Sequence, residues 1–195
     1  MAKSEPIRKT KDIEKIEEYF IEKGQIRNNV LFNLGIYTSL RISDLLNLKW
    51  GQVYCFSKKR FNSHLHVTEA KTHKSRKIAL NKNAIEALKE YLAALPDCHA
   101  GTWLFPSRKK QNPISRIQAY RIIITAANDL SLQDNITCHS MRKVIGYHSW
   151  KAGISLALIS EIYNHSSEKV TKHYLGIRQD EIDKVFLSQN YKSKF

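Results

Sequence analysis

The sequence is short of acid. Asp and Glu number 18 against 32 Lys and Arg in 195 residues, a formal charge of +14 at pH 7. A surplus of that size favours a polyanionic partner, with nucleic acid the first to consider. Cysteine is scarce too. Cys55, Cys98 and Cys138 are an odd set with no CxxC spacing, which counts against a disulfide framework or a cysteine-rich zinc site and fits a reducing, cytoplasmic setting. The 7 glycines stand alone, so neither GxGxxG nor a GxxxxGK[ST] phosphate loop is present. No apolar run approaches the ~18 residues of a membrane span. The start from Met1 to Lys11 is polar and basic, so neither a membrane partner nor a secretory signal is expected. HExxH is missing, and His64 and His66 share a strand face with no obvious third ligand, so no metal and no cofactor is expected.

What is present is enough apolar residue for a core, 42% of the chain. The charge is concentrated. Between Arg41 and Lys151 there are 19 basic and 7 acidic residues, whereas the two flanks together hold 13 and 11. The middle is therefore the candidate polyanion face. Its few carboxylates also argue against a two-metal nuclease, which needs clustered Asp or Glu to hold the ions.

Apolar spacing predicts helices over Lys11–Lys23 and Arg27–Thr38, then a short one capped by Ser43 and running through Leu48. The strand-like runs are Val53–Phe56, Leu65–Glu69 and Arg76–Leu80, with Lys71–Lys74 as a hairpin turn. Further helices fit Asn83–Leu95, Ser115–Asn128, Ser140–Lys151, Leu156–Tyr163, Glu168–Tyr174 and Asp180–Leu187. The expected fold is α+β, mostly helical with one small antiparallel β-sheet. We read a basic N-terminal arm over 1–10, a single domain over 11–187 and a C-terminal tail over 188–195.

A basic protein can act on a phosphodiester without metal if fixed cations surround the phosphorus. Arginine suits this because its planar fork holds two phosphate oxygens at once. A nucleophile and a proton donor for the leaving oxygen complete the set. Such groups occur in Thr38-Ser39-Leu40-Arg41-Ile42-Ser43-Asp44-Leu45, His139-Ser140-Met141-Arg142, Asn164-His165-Ser166-Ser167 and Thr171-Lys172-His173-Tyr174.

In these segments the sequence resembles the tyrosine recombinases, the phage integrase family, from about Arg27 to Leu187. The first segment resembles that family's first arginine box, and Lys71 sits where the family carries its β-hairpin lysine. His139 and Arg142 match the HxxR box, His165 the later histidine, and Tyr174 the nucleophile. The resemblance implies that the domain is a tyrosine recombinase catalytic domain. Arg41 and Arg142 would clamp the scissile phosphate, and Tyr174 would attack it to form a 3′-phosphotyrosyl link. His139 would assist proton transfer with the tyrosine, His165 would donate to a phosphate oxygen, and Lys71 would protonate the departing 5′ oxygen. It implies double-stranded DNA as partner, with other copies of the chain joining in a synaptic tetramer.

Each residue taken singly has an ordinary reading. Tyr174 could be a packed core tyrosine, Arg41 a helix-start arginine paired with Asp44, and either histidine a satisfied structural group. Lys74, Arg76 and Lys77 are expected to bind backbone phosphates, and Arg116 and Arg121 to face a DNA groove from their helix. The Arg108-Lys109-Lys110 loop is equally readable as a DNA contact or a solvated loop. Ile182, Val185 and Phe186 form an apolar stripe that would dock either in cis or on a neighbouring protomer.

The match departs from the family in three places. Ser39 stands for the usual glycine before the leucine-arginine pair, and Tyr163-Asn164 for the usual leucine-glycine before His165. Only about 25 residues precede the matched stretch, where family members usually carry a helical DNA-clamping domain. That is the pattern of small catalytic-domain-only recombinases or of an isolated catalytic fragment. Two other readings remain at this level: a non-catalytic DNA-binding regulator with the same fold, and a metal-dependent phosphodiesterase.

Overall fold

The computed structural model describes residues 4–109, 111–132, 135–177 and 179–189. Its helices are α1 (Thr10–Glu22), α2 (Ile26–Thr38), α3 (Ile42–Leu46), α4 (Trp50–Val53), α5 (Lys82–Ala93), α6 (Arg116–Asp129), α7 (Cys138–Lys151), α8 (Leu156–Tyr163), α9 (Glu168–Leu175) and α10 (Gln179–Ser188). Between α4 and α5 run β1 (Tyr54–Cys55), β2 (Arg60–Phe61), β3 (His64–Thr68) and β4 (Ser75–Ala79). Among the described residues no helix is long and apolar enough to cross a membrane.

The centre of the molecule is α2, which packs against α1, α5 and α7. It is buried nearly all round, and even its asparagines are covered. Asn33 Nδ2 satisfies itself on the side chain of Asn29 at 3.0 Å and on its carbonyl at 3.2 Å, so these polar groups carry no unpaired burial cost. The apolar stripe of α1 meets this core through Ile16 and Phe20.

The β region is not one sheet. It is two separate antiparallel ladders, β1–β2 and β3–β4. Val53, expected to open a strand, instead ends α4, where it and Trp50 are both buried one turn apart. In the longer ladder His66 faces Lys77 and Thr68 faces Ser75, which leaves residues 69–74 as the connecting turn.

Several caps shift by a few residues. Asn81, not Asn83, caps α5 by accepting from the Ala84 amide at 2.9 Å. The α7 helix starts at Cys138 behind Thr137 rather than at Ser140. The cap of α3 is Arg41, not Ser43, and it makes no side-chain cap hydrogen bond. Ser115 caps α6 as the sequence suggests, and the structure adds a reciprocal bond from the Ser115 amide to the Gln118 side chain.

A second, small apolar cluster of Ile159, Tyr163 and Leu175 joins α8 to α9, separate from the main core. The start of the chain is docked here as well. Ile7 is fully buried, and Arg8 donates to the Tyr147 hydroxyl at 3.2 Å and to the Gly176 carbonyl at 2.7 Å. The part of the basic arm from Ser4 onward is therefore packed on α7 and the end of α9. Residues 1–3 of the arm, Lys110 of the basic loop and residues 190–195 of the tail lie outside the described residues, as does the side chain of Ile182 in the apolar stripe.

Candidate active site

The site begins where α2 ends. Ser39 adopts a left-handed backbone, φ +52°, which turns the chain so that Leu40 enters the core and Arg41 opens α3. This is the conformation that glycine takes without steric cost, which accounts for glycine being the residue expected there.

Arg41 does not pair with Asp44. Its guanidinium lies 2.5 Å from Oε2 of Glu69, a carboxylate with no solvent exposure at the end of β3. Asp44 instead accepts the Ala70 amide at 3.0 Å and so holds the backbone that carries Lys71. Glu69 also meets Arg76 at 3.3 Å and Arg142 at 4.0 Å, and accepts from the Thr72 hydroxyl at 2.7 Å. Burial pushes its carboxyl up, but the bonds from Thr72 and Arg41 and the charges of Arg41 and Arg76 outweigh this and hold it below the usual value. Three guanidinium groups thus share one carboxylate, leaving two positive charges uncompensated in a half-buried place. Such an arrangement is suited to an anion.

Arg142 lies on the buried face of α7, and its guanidinium donates to the Ser39 carbonyl. His139, one turn earlier, is held below the ordinary imidazole value by burial and then by the charges of Lys143 and Arg142. His165 follows Asn164, a second left-handed residue (φ +55°) at the end of α8, where the expected residue is again glycine. Its Nδ1 lies 2.9 Å from the Thr171 hydroxyl, and Thr171 is 2.7 Å from Ser160. Burial lowers the His165 pKa, and Arg142 and Arg41 lower it further, so the ring is neutral at pH 7.

Tyr174 lies near the end of α9 with its hydroxyl buried and without a hydrogen-bond partner. Burial raises its pKa and Arg142 opposes the rise, leaving a neutral phenol above its ordinary value. The His165 ring meets it edge-on at 5.0 Å, and the Lys143 ammonium stands 4.9 Å from its ring centre.

Arg41, Lys71, His139, Arg142, His165 and Tyr174 all line one open cleft of about 510 Å³, and Arg116 lines it with them. The other basic candidates divide. Lys74 is exposed in the turn, Lys77 on β4 and Arg121 on α6. Arg76 is not a surface contact. Its side chain is 10% exposed and is spent on Glu69 and on the Ser39 hydroxyl at 3.1 Å, so it braces the arginine cluster from behind. Arg108 and Lys109 are exposed. Among the described residues no group of three His, Cys, Asp or Glu stands ready to hold a metal ion.

Sequence reasoning missed Glu69, Thr171, Lys143 and Tyr163. Glu69 left the clearest trace, as one of the few acids in the basic middle, placed between a strand and a basic turn. Tyr163 shows in the sequence only as a departure from the usual leucine, and the contacts of Thr171 with His165 and of Lys143 with Tyr174 appear only in the folded chain.

Compared with known proteins, residues 9–181 match the family model described as the phage integrase family. A probable integrase/recombinase of Bacillus subtilis, YoeC, is 38% identical over 176 residues, covering 90% of this chain and 91% of that protein. The tyrosine recombinase XerC of Neisseria gonorrhoeae is 26% identical over 169 residues, covering 87% of this chain and 53% of XerC. The chain thus spans nearly all of the first relative and about half of the second. Among solved structures, the XerA recombinase superposes with a TM-score of 0.74 at 19% identity, over 96% of this chain and 65% of XerA. The XerH site-specific recombinase, in a post-cleavage complex with its palindromic difH substrate, gives 0.72 at 20% identity, over 90% of this chain and 50% of XerH.

Proposed function

The chain belongs to the phage integrase family, and from that premise we propose that it is a site-specific DNA recombinase that cuts and rejoins strands through Tyr174. The observation that carries this reading is the convergence of the six side chains on one cleft. They come from α9, α7, the segment after α8, the turn after β3 and the start of α3.

The scissile phosphodiester enters the cleft, and Arg41 and Arg142 take its non-bridging oxygens. The phosphate supplies the negative charge that Glu69 alone does not. His165, neutral and steadied by Thr171, donates to a phosphate oxygen. The Tyr174 hydroxyl attacks phosphorus, passing its proton toward His139, and the 5′ oxygen leaves with a proton from Lys71. A 3′-phosphotyrosyl ester and a free 5′-hydroxyl result. A phenol is a good leaving group, so the 5′-hydroxyl of a partner strand reverses the step and the bond energy is conserved without a nucleotide cofactor.

Four copies on two duplexes complete an exchange. A lambda integrase dimer bound to a core site shares this fold, and the cations this chain offers to a duplex are the exposed Lys74, Lys77 and Arg121. The test is incubation with a nicked suicide duplex in EDTA. A covalent protein–DNA adduct forms with the native chain and is lost in Tyr174→Phe. Binding without an adduct would favour a DNA-binding regulator, and loss of all activity in EDTA would favour a metal-dependent phosphodiesterase.

A further inference from the structure

Tyr163 stands where the family resemblance expects leucine, and it does more than fill space. It is 1% exposed at the end of α8, behind the cleft rather than in it. Its hydroxyl accepts from the Gly146 amide at 3.1 Å and donates to the Arg142 carbonyl at 2.9 Å. Residues 142 and 146 of α7 are four apart, so these two groups would bond to one another in an ordinary helix. The phenol bridges that pair, at the residue whose side chain faces the cleft.

Gly146 makes this possible. A Cβ there would stand 2.5 Å from the Tyr163 hydroxyl oxygen, so no larger residue fits while the phenol is in place. The ring of Tyr163 is engaged as fully as its hydroxyl. The His165 imidazole stacks on it at 5.2 Å and 21°, the Tyr174 ring tilts against it at 5.1 Å, and the Arg142 guanidinium carbon stands 5.4 Å from its centre. One side chain outside the cleft therefore touches three of the groups inside it.

We propose that Tyr163 is a positioning residue for strand cleavage: its hydroxyl bridges Gly146 and Arg142 and so fixes where the Arg142 guanidinium stands, while its ring sets the spacing of His165 and Tyr174. The inference rests on the strand-cleavage reading above. Misplacement of a catalytic group by about 1 Å costs up to about 100-fold in rate, so loss of the bridge has a kinetic signature. It acts on chemistry more than on DNA affinity, because the exposed Lys74 and Lys77 are untouched.

The experiment uses single-turnover cleavage of a suicide duplex at saturating protein, below the melting midpoint of every variant. Tyr163→Phe removes the bridge and keeps the ring; Tyr163→Leu restores the family's usual residue and removes both. Each is run on a duplex with an ordinary scissile phosphate and on one with a neutral methylphosphonate, which gives Arg142 no negative charge to hold. The expected result is that Tyr163→Phe slows the phosphodiester by at least about tenfold, with DNA affinity unchanged, and slows the methylphosphonate much less. Tyr163→Leu slows both substrates, since the stack on His165 is gone. Equal slowing of the two substrates by Tyr163→Phe, or none, overturns the inference while leaving the cleavage reading intact. A native chain that cleaves neither duplex overturns the cleavage reading and this inference with it.

Discussion

Glu69 and Arg142 stand 4.0 Å apart, on the end of a β-strand and in the middle of a helix. Through the same carboxylate, Arg41 is held from the other side at 2.5 Å. The two arginines that would grip one phosphate are thus fixed relative to each other by a buried acid, before any DNA arrives. Preorganisation of this kind spares the reaction the cost of gathering like charges at the moment of chemistry.

Removing that acid is predicted to be costly. Glu69→Ala leaves Arg76 and Arg142 in buried positions without their carboxylate, and breaking a buried ion pair costs about 3–5 kcal/mol. Urea denaturation measures the loss. The same variant cleaves DNA far more slowly even where it is folded. A change under about 1 kcal/mol would show that the arginines are held by something else.

Acid acts on the site in a predictable direction. His139 and His165 both have pKa values lowered in the folded state, first by burial. A histidine lowered on folding contributes stability that is whole above its unfolded value of about 6.5 and is lost as pH falls from there through the folded value. Cleavage is therefore level from pH 8 down to about pH 6.5 and declines below it, as His139 loses its capacity to take a proton. Single-turnover rates across this range check the point, and His139→Gln removes most of the acid limb. A rate that rises on acidification contradicts the assignment.

The exposed and buried cations separate in a salt titration. DNA affinity falls steeply with salt, and Lys77→Ala lowers the slope of log K against log salt by about one. Arg76→Ala leaves that slope unchanged and lowers the melting temperature instead, because its guanidinium is spent on Glu69 and Ser39. Binding isotherms at several salt concentrations distinguish the two, and equal slopes for both variants contradict the division.

Local pattern carried the helices well. The apolar run from Leu156 to Tyr163 gives α8 with its bounds intact, and the helix read from Ser115 is α6, with Ser115 as its cap. The linear order of the motifs pointed to six residues that the fold brings to one cleft, because each box is short and contiguous. What stayed hidden depends on contacts distant in sequence. The division of the β region into two ladders is not legible because β2 is only two residues long, too brief to leave a periodic signal. Arg76 looks like its neighbours Lys74 and Lys77 in the chain and differs from them only because Glu69 lies behind it. Val53 reads as a strand residue until Trp50 is seen buried beside it one turn back. The departures at Ser39 and Asn164 were visible as substitutions, but their left-handed backbone was not.

Strand cleavage by this chain is most directly tested at the atom that holds the cut strand. The adduct formed on a suicide duplex in EDTA is digested with protease and the nucleotide-bearing peptide sequenced by mass spectrometry, while the released end is tested for labelling by polynucleotide kinase. The expected result is a nucleotide 3′-phosphate on Tyr174 and a 5′-hydroxyl that accepts label without phosphatase treatment. A nucleotide found on any other residue, or a released end that carries a 5′-phosphate, contradicts it.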